Sequence, residues 1–438
     1  MIQPNDVRRT LAENILADGL EPVMDLKKSH GSWIVDSRNG TEFLDMFSMF
    51  ASGSIGYNHP KLLNIQDSLG SAAIHKPTLS DIYNTTYADF VHTFNTIAVP
   101  GYLKNTFFIE GGALGVENAL KTAFDWKYRK NLEKNINSID NMKVIHFNQA
   151  FHGRSGYTLS LTNTTDPRKT MYFPKFDWPR ITNPKLKFPT TDSILDEVTK
   201  NEQNAIKEIK AAIQSAPNQI AAIIIEPIQG EGGDNHFRDE FFVALRNICD
   251  EEDIIFILDE VQTGIGITGK MWAHEYNTVN PDIISFGKKT QVCGLLAGDR
   301  ILEVENNVFK ESSRINSTFG GNLVDMVRFQ EILNVIEDER LIEHANLMGK
   351  YLLQKLQNLT QDFPGFVTNA RGLGLFCAFD LPSGTERDDL INEMMKNKLL
   401  MLPSGDESVR FRPHLNVTKD DLDCALDIIT DSLRNCLK

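Results

Sequence analysis

The chain has 438 residues, of which 41% are hydrophobic and 24% charged, the make-up of an ordinary globular protein with room for two domains and a sizeable core. A net charge of −14 argues against nucleic acid or an anionic membrane as partner, since both demand basic surface. No apolar run approaches the roughly 18 residues of a membrane span. The polar opening MIQPNDVRRT is unlike a secretory leader, so a cytoplasmic location is expected.

From about residue 60 to 325, short apolar runs alternate with segments of helical period. Strands are expected at 106–109, 143–147, 221–226, 254–259, 282–286 and 296–299, and helices at 112–129, 202–214 and 239–250. Such alternation predicts an α/β fold with a mostly parallel sheet covered on both faces and ligands at the carboxyl ends of the strands. Polar stretches at 130–142 and 162–169 read as surface loops. After Asn322 come two long helical stretches, to 337 and over 341–359. A mixed tail follows, with strands at 375–379 and 409–411 and a last helix at 419–433. The five cysteines, Cys249, Cys293, Cys377, Cys424 and Cys436, are scattered and form no CxxC. Free thiols and no metal site are expected.

The densest chemical signal lies between Phe256 and Gly294. A buried-strand run ends on Asp259 and Glu260, and a second short strand delivers Gly287, Lys288 and Lys289. An acid at one strand tip and a lysine at a neighbouring one is the pair that pyridoxal phosphate chemistry requires. The amine forms a Schiff base with the cofactor aldehyde, and the carboxylate keeps the pyridine nitrogen protonated so that the ring withdraws electrons. Taken singly, a strand ending in DE or a Lys-Lys pair is usually a solvated charge cluster, and only their joint spacing favours a site. Gly264, Gly266 and Gly269 in the same stretch spell GxGxxG. Five residues, DEVQT, separate the strand from the first glycine, whereas a dinucleotide fingerprint follows its strand directly and opens a helix. A nicotinamide cofactor is not expected.

Three further motifs have bland and functional readings side by side. GGALGVENALK (111–121) is either a glycine-capped helix start or an anion site on free backbone N–H groups at Gly112 and Ala113. In FHGRSGYT (151–158), Phe151 is either core or a ring-stacking aromatic, and Arg154 either a surface charge or a bidentate carboxylate clamp. EPIQGEGG (226–233) is an acidic loop whose glycines bring Glu231 near a ligand or merely expose it.

The segment FILDEVQTGIG…FGKKTQVCG, with SGSIGYNHP (52–60) and VRFRPHLNVT (409–418), resembles the class III (ω-amino-acid) aminotransferases, in particular the branch acting on lysine. The resemblance implies pyridoxal 5′-phosphate fold type I: a large domain over 61–325, and a small α+β domain joining 1–60 to 326–438. It implies a homodimer with shared active sites, whose small-molecule substrates are L-lysine and 2-oxoglutarate. It makes Lys288 and Asp259 catalytic. The cofactor contacts are Gly112, Ala113, Phe151, Gln262, Ser317 and Thr318; the substrate contacts are Arg154, Glu231, Gln262, Asn316 and Arg410, the last for the α-carboxylate of 2-oxoglutarate, with Arg412 as the flanking alternative. Residues 316–318 are expected to reach across from the other subunit. For His152 a structural role remains as good a reading as a functional one. Glu231 is expected to cover Arg410 while lysine reacts and to move aside for 2-oxoglutarate, with mobility from Gly230, Gly232 and Gly233.

Overall fold

In the computed structural model, residues 2–75, 81–136 and 141–438 are described. A seven-stranded sheet forms the centre. In spatial order its strands are Asn105–Ile109, Cys293–Ala297, Ile283–Phe286, Ile255–Asp259, Ile220–Ile225, Lys143–Phe147 and Arg180–Ile181. The strands Ile220–Ile225 and Ile255–Asp259 are buried at every position. Their unbroken apolar sequences fit that position, because a central parallel strand is covered on both faces.

Cys293–Ala297 runs antiparallel to both its neighbours, and the remaining pairings are parallel. Six residues separate it from Phe286, too few for the crossover that a parallel return needs. The chain therefore turns back on itself, and the lysine pair lies in that turn. This strand begins three residues earlier than its apolar pattern suggests, and the helix expected at 202–214 begins at Asp192, where the Thr191 side chain caps it. Of the expected 130–142 loop, the helix Gly112–Glu133 takes the first part, and residues 137–140 lie outside the described residues.

A second, antiparallel sheet in the order Thr368–Leu373, Phe376–Asp380, Ser408–Phe411 and Leu402–Ser404 presents Arg410 to the cleft. A third small sheet joins the two ends of the chain: Glu42–Asp45 pairs antiparallel with Trp33–Val35 and parallel with Leu399–Leu400. In chain order the helices Leu323–Asp338 and Leu341–Asp362 follow the strands of the large sheet and precede those of the tail. Among the described residues no helix is long and apolar enough to cross a membrane.

Candidate active site

The site collects at the carboxyl ends of the parallel strands. Asp259 is the last residue of its strand and is buried. Its Oδ1 accepts from Ser285 Oγ at 2.9 Å and from the Val261 N–H at 3.1 Å, while Oδ2 lies 2.7 Å from His152 Nδ1. Acceptor capacity is left on Oδ2 for one further donor. The histidine that the sequence left open is thus buried against Asp259, and its Nε2 has no partner among the described residues.

One strand lies between these two, Ile220–Ile225, and it ends beside Glu226. Oε1 of Glu226 accepts from the Phe151 N–H at 2.9 Å, and Oε2 from the Gly230 N–H at 3.0 Å. Burial, reinforced by the charge of Asp259, pushes the Glu226 carboxyl up to about 7, against the pull of His152 and the two N–H donors. One buried carboxylate therefore fastens both the Phe151 segment and the Glu231 loop. Its place at the tip of an all-apolar strand was legible in the sequence; its fastening role was not.

Lys288 and Lys289 occupy one short 3₁₀ turn, Lys288–Thr290, rather than a strand end. Lys288 is in the left-handed region at φ 54, and its amine makes no hydrogen bond among the described residues. Burial, together with Arg410 and Arg412, lowers that amine to about 8, with Glu231 and Asp259 opposing. Lys289 turns the other way: it is fully buried and donates to the Ala51 carbonyl at 2.8 Å. Burial drives its amine well below the ordinary lysine value.

The start of the helix Gly112–Glu133 adjoins this turn. A Cβ at Gly287 would stand 3.3 Å from Gly112 Cα, and one at Gly112 would stand 2.9 Å from a Val261 methyl. A Cβ at Gly153 would meet that of Ala113 at 2.6 Å. These close approaches bring the helix N-terminus, the lysine turn, the residues after Asp259 and the Phe151–Arg154 segment together. Gly111 has φ 95 and carries no side chain over the first free N–H groups.

Arg410 is buried and donates from Nη2 to Glu231 Oε2 at 2.9 Å and from Nη1 to the Gly230 carbonyl at 3.4 Å. Arg412 is committed elsewhere. Its guanidinium pairs with Asp234, donates to Gln262 Oε1 at 2.9 Å and lies 3.3 Å from the centre of the Phe376 ring. The Glu231 loop is closely packed at two of its three glycines, Gly230 and Gly232. A Cβ at Gly232 would stand 2.0 Å from the Gln149 carbonyl oxygen, and one at Gly230 2.3 Å from Gln262 Oε1. Glu231 is also held by Lys169, whose Nζ donates to Oε1 at 2.5 Å. Lys169 ends the stretch that reads as a surface loop, and nothing local in the sequence marks it.

Two groups of predicted residues stand apart from this cluster. Arg154 is exposed, with no hydrogen bond or ion pair among the described residues. Asn316 and Thr318 are exposed and Ser317 partly so; their hydrogen bonds among the described residues are local, from the Ser317 N–H to Asn316 Oδ1 and from the Phe319 N–H to Ser317 Oγ. The GxGxxG glycines open no helix. They lie in successive turns packed on Trp272, Ile342, Leu415 and Asn346.

The assembled cleft fits pyridoxal 5′-phosphate. It offers a lysine amine of lowered basicity with no hydrogen-bond partner, and a carboxylate with spare acceptor capacity. Phe151, held by Glu226 and next in the chain to the His152 that meets Asp259, adds an aromatic ring to the segment, and a helix N-terminus suits a phosphate.

A family model for class-III aminotransferases matches residues 16–433. An L-lysine-epsilon aminotransferase of Mycobacterium tuberculosis is 49% identical over 433 residues, spanning 98% of this chain and 96% of that one. Its counterpart from Amycolatopsis lactamdurans is 47% identical, over 98% of this chain and 95% of its own. The solved lysine aminotransferase of M. tuberculosis superposes with a TM-score of 0.97 at 48% identity, covering 99% of this chain and 100% of that one. Agreement over nearly the whole of each chain relates entire folds rather than one shared motif, and the chain belongs to the class-III aminotransferases, pyridoxal 5′-phosphate enzymes of fold type I.

Proposed function

We propose that this chain transfers the ε-amino group of L-lysine to 2-oxoglutarate. The products are L-glutamate and 2-aminoadipate 6-semialdehyde, which cyclises with its own α-amine to piperideine-6-carboxylate. The observation that carries the reading is the near-full-length identity of 44–49% to L-lysine-epsilon aminotransferases. The pairing of Glu231 with Arg410 at 2.9 Å supports it chemically.

Bound pyridoxal 5′-phosphate supplies a carbonyl that takes up the amino group and a ring that withdraws electrons from the reacting carbon. Lys288 holds that carbonyl at rest. Its amine, already lowered to about 8, is basic enough to take the proton from the ε-carbon of the donor and weak enough to give it up again. Asp259 holds a proton at the pyridine nitrogen, and His152 and Ser285 orient the carboxylate. The Gly112 and Ala113 N–H groups receive the phosphate, joined by Ser317 and Thr318 of a second copy across a homodimer interface. Phe151 would lie against the ring, and Gln262 would serve the ring hydroxyl and the substrate. Arg154, for the far carboxylate of the substrate, and Asn316 stand apart from this cluster within one chain, and their substrate roles rest on the family resemblance alone.

The two substrates bring unlike charges to the same position. At the reacting carbon lysine brings only its amine, whereas 2-oxoglutarate carries a carboxylate bonded to that carbon, so an uncovered Arg410 would repel the first and favour the second. Glu231 neutralises Arg410 while lysine reacts and gives it up to the 2-oxoglutarate carboxylate. The test is a donor panel of lysine, ornithine, acetylornithine and 4-aminobutyrate with 2-oxoglutarate as acceptor, read by mass spectrometry. Lysine is expected to be the preferred donor, giving the cyclised product; a clear preference for another donor overturns the assignment.

A further inference from the structure

Glu231 is shared between two cations. Oε2 accepts from Arg410 at 2.9 Å and Oε1 from Lys169 at 2.5 Å. Burial pushes the Glu231 carboxyl up, but Arg410 and Lys169 together outweigh it and hold the group below the usual range. The Lys169 ammonium has no other hydrogen-bond partner among the described residues, and it lies 5.9 Å from the centre of the Phe151 ring. The side chains of Lys169 and Glu231 are only 27% and 22% exposed, so this is not a freely solvated surface pair.

The backbone under Glu231 is fastened on every side. The Gly230 N–H donates to Glu226, and the Gly230 carbonyl accepts from Ser404 Oγ. The Glu231 carbonyl accepts from the Gly405 N–H at 3.0 Å. Arg371 donates to the carbonyls of Gly233 and Asp234. Movement is therefore confined to the torsions of one glutamate side chain. A carboxylate that leaves Arg410 within this pocket needs another cation within that short reach, because an unpaired, largely buried carboxylate is strongly disfavoured.

We infer that Lys169 is the second pole of the Glu231 switch, a positioning residue that keeps the carboxylate when 2-oxoglutarate takes Arg410. The inference rests on the lysine-to-2-oxoglutarate reading. With lysine in the site, Glu231 bridges both cations and Arg410 is covered. With the diacid present, Glu231 keeps Lys169 alone, remains paired, and stays clear of the incoming carboxylate. Without Lys169, the carboxylate has only Arg410 to hold and competes with the acceptor for it.

The test compares Lys169→Met and Lys169→Arg with the parent holoenzyme in single-turnover half-reactions. In parallel, calorimetry measures the affinity of the holoenzyme for glutarate, a diacid that cannot react. Lys169→Met should raise half-saturating 2-oxoglutarate and weaken glutarate by about five- to tenfold, the scale of one partly enclosed ion pair. Half-saturating lysine should stay within about twofold, and Lys169→Arg should restore both diacid values. In a Glu231→Ala background, Lys169→Met should change glutarate affinity no further. Equal weakening with and without Glu231 would mean that Lys169 binds the acceptor directly, and unchanged diacid values would make it a bystander; either outcome overturns the inference while leaving the Glu231–Arg410 gate standing. A parent enzyme that takes no amino group from lysine overturns the underlying reading, and the second pole with it.

Discussion

His152 Nδ1 stands 2.7 Å from Asp259 Oδ2, both side chains buried, although His152 follows the strand Lys143–Phe147 and Asp259 ends the strand Ile255–Asp259, two strands separated in the sheet by Ile220–Ile225. A ring nitrogen donating to a carboxylate at a strand tip fixes which way that carboxylate faces. In a low-dielectric pocket, such orientation decides how well charge is stabilised.

Asp259→Asn is expected to keep the fold and the bound cofactor but lower turnover by on the order of a hundredfold, because a neutral amide cannot hold the ring nitrogen protonated. His152→Ala should cost roughly tenfold in kcat, as for the loss of an orienting neighbour, with little change in KM for lysine. Steady-state kinetics alongside absorbance of the bound cofactor checks both. Near-normal turnover of Asp259→Asn would place the essential carboxylate elsewhere.

Borohydride reduction followed by peptide mapping is expected to find the pyridoxyl group on Lys288. Lys289 is fully buried and donates to the Ala51 carbonyl, so a label there would refute the assignment. In cofactor-free protein the Lys288 amine is lowered to about 8. Its deprotonated, reactive form therefore appears as pH rises through about 8, below the usual lysine range. The rate of acylation of this single lysine against pH measures that midpoint, and a midpoint above 10 contradicts it.

Arg410 and Glu231 should act in opposite senses. Arg410→Ala is expected to impair mainly the 2-oxoglutarate half-reaction and Glu231→Ala mainly the lysine one, each by about 1–3 kcal/mol, as for a lost charge-assisted contact. Single-turnover spectra separate the two halves. Equal slowing of both by Glu231→Ala would reduce that residue to a structural part.

The fastening of the Glu231 loop predicts a stability effect distinct from any catalytic one. A methyl at Gly232 would lie 2.0 Å from the Gln149 carbonyl oxygen. Gly232→Ala should therefore destabilise the protein by about 1–3 kcal/mol, the usual cost of overpacking. Calorimetric Tm is the readout. An unchanged Tm would show that the loop has slack and that its glycines serve motion after all.

Apolar runs such as Ile255–Asp259 and Ile220–Ile225 announced their own burial, because a strand covered on both faces has few polar alternatives. The helix starting at Gly112 was legible from its glycines and its apolar period. The candidate residues Asp259 and Lys288 could be picked out because cofactor chemistry needs an acid and an amine at neighbouring strand ends. Local sequence carried that much, since propensity, period and residue chemistry are properties of short segments.

What only the tertiary structure decided are relations between segments. Arg410 lies on the strand Ser408–Phe411 and Arg412 just past its end, and it is the Asp234 carboxylate, folded in from far along the chain, that occupies Arg412. The six-residue return after Phe286 made Cys293–Ala297 antiparallel. Glycines that read as mobile are crowded by Gln149 and Gln262. His152 at Asp259 and Lys169 at Glu231 are pairings of residues 107 and 62 positions apart. No spacing rule encodes such contacts, because they exist only once separate strands and loops have been packed into one cleft.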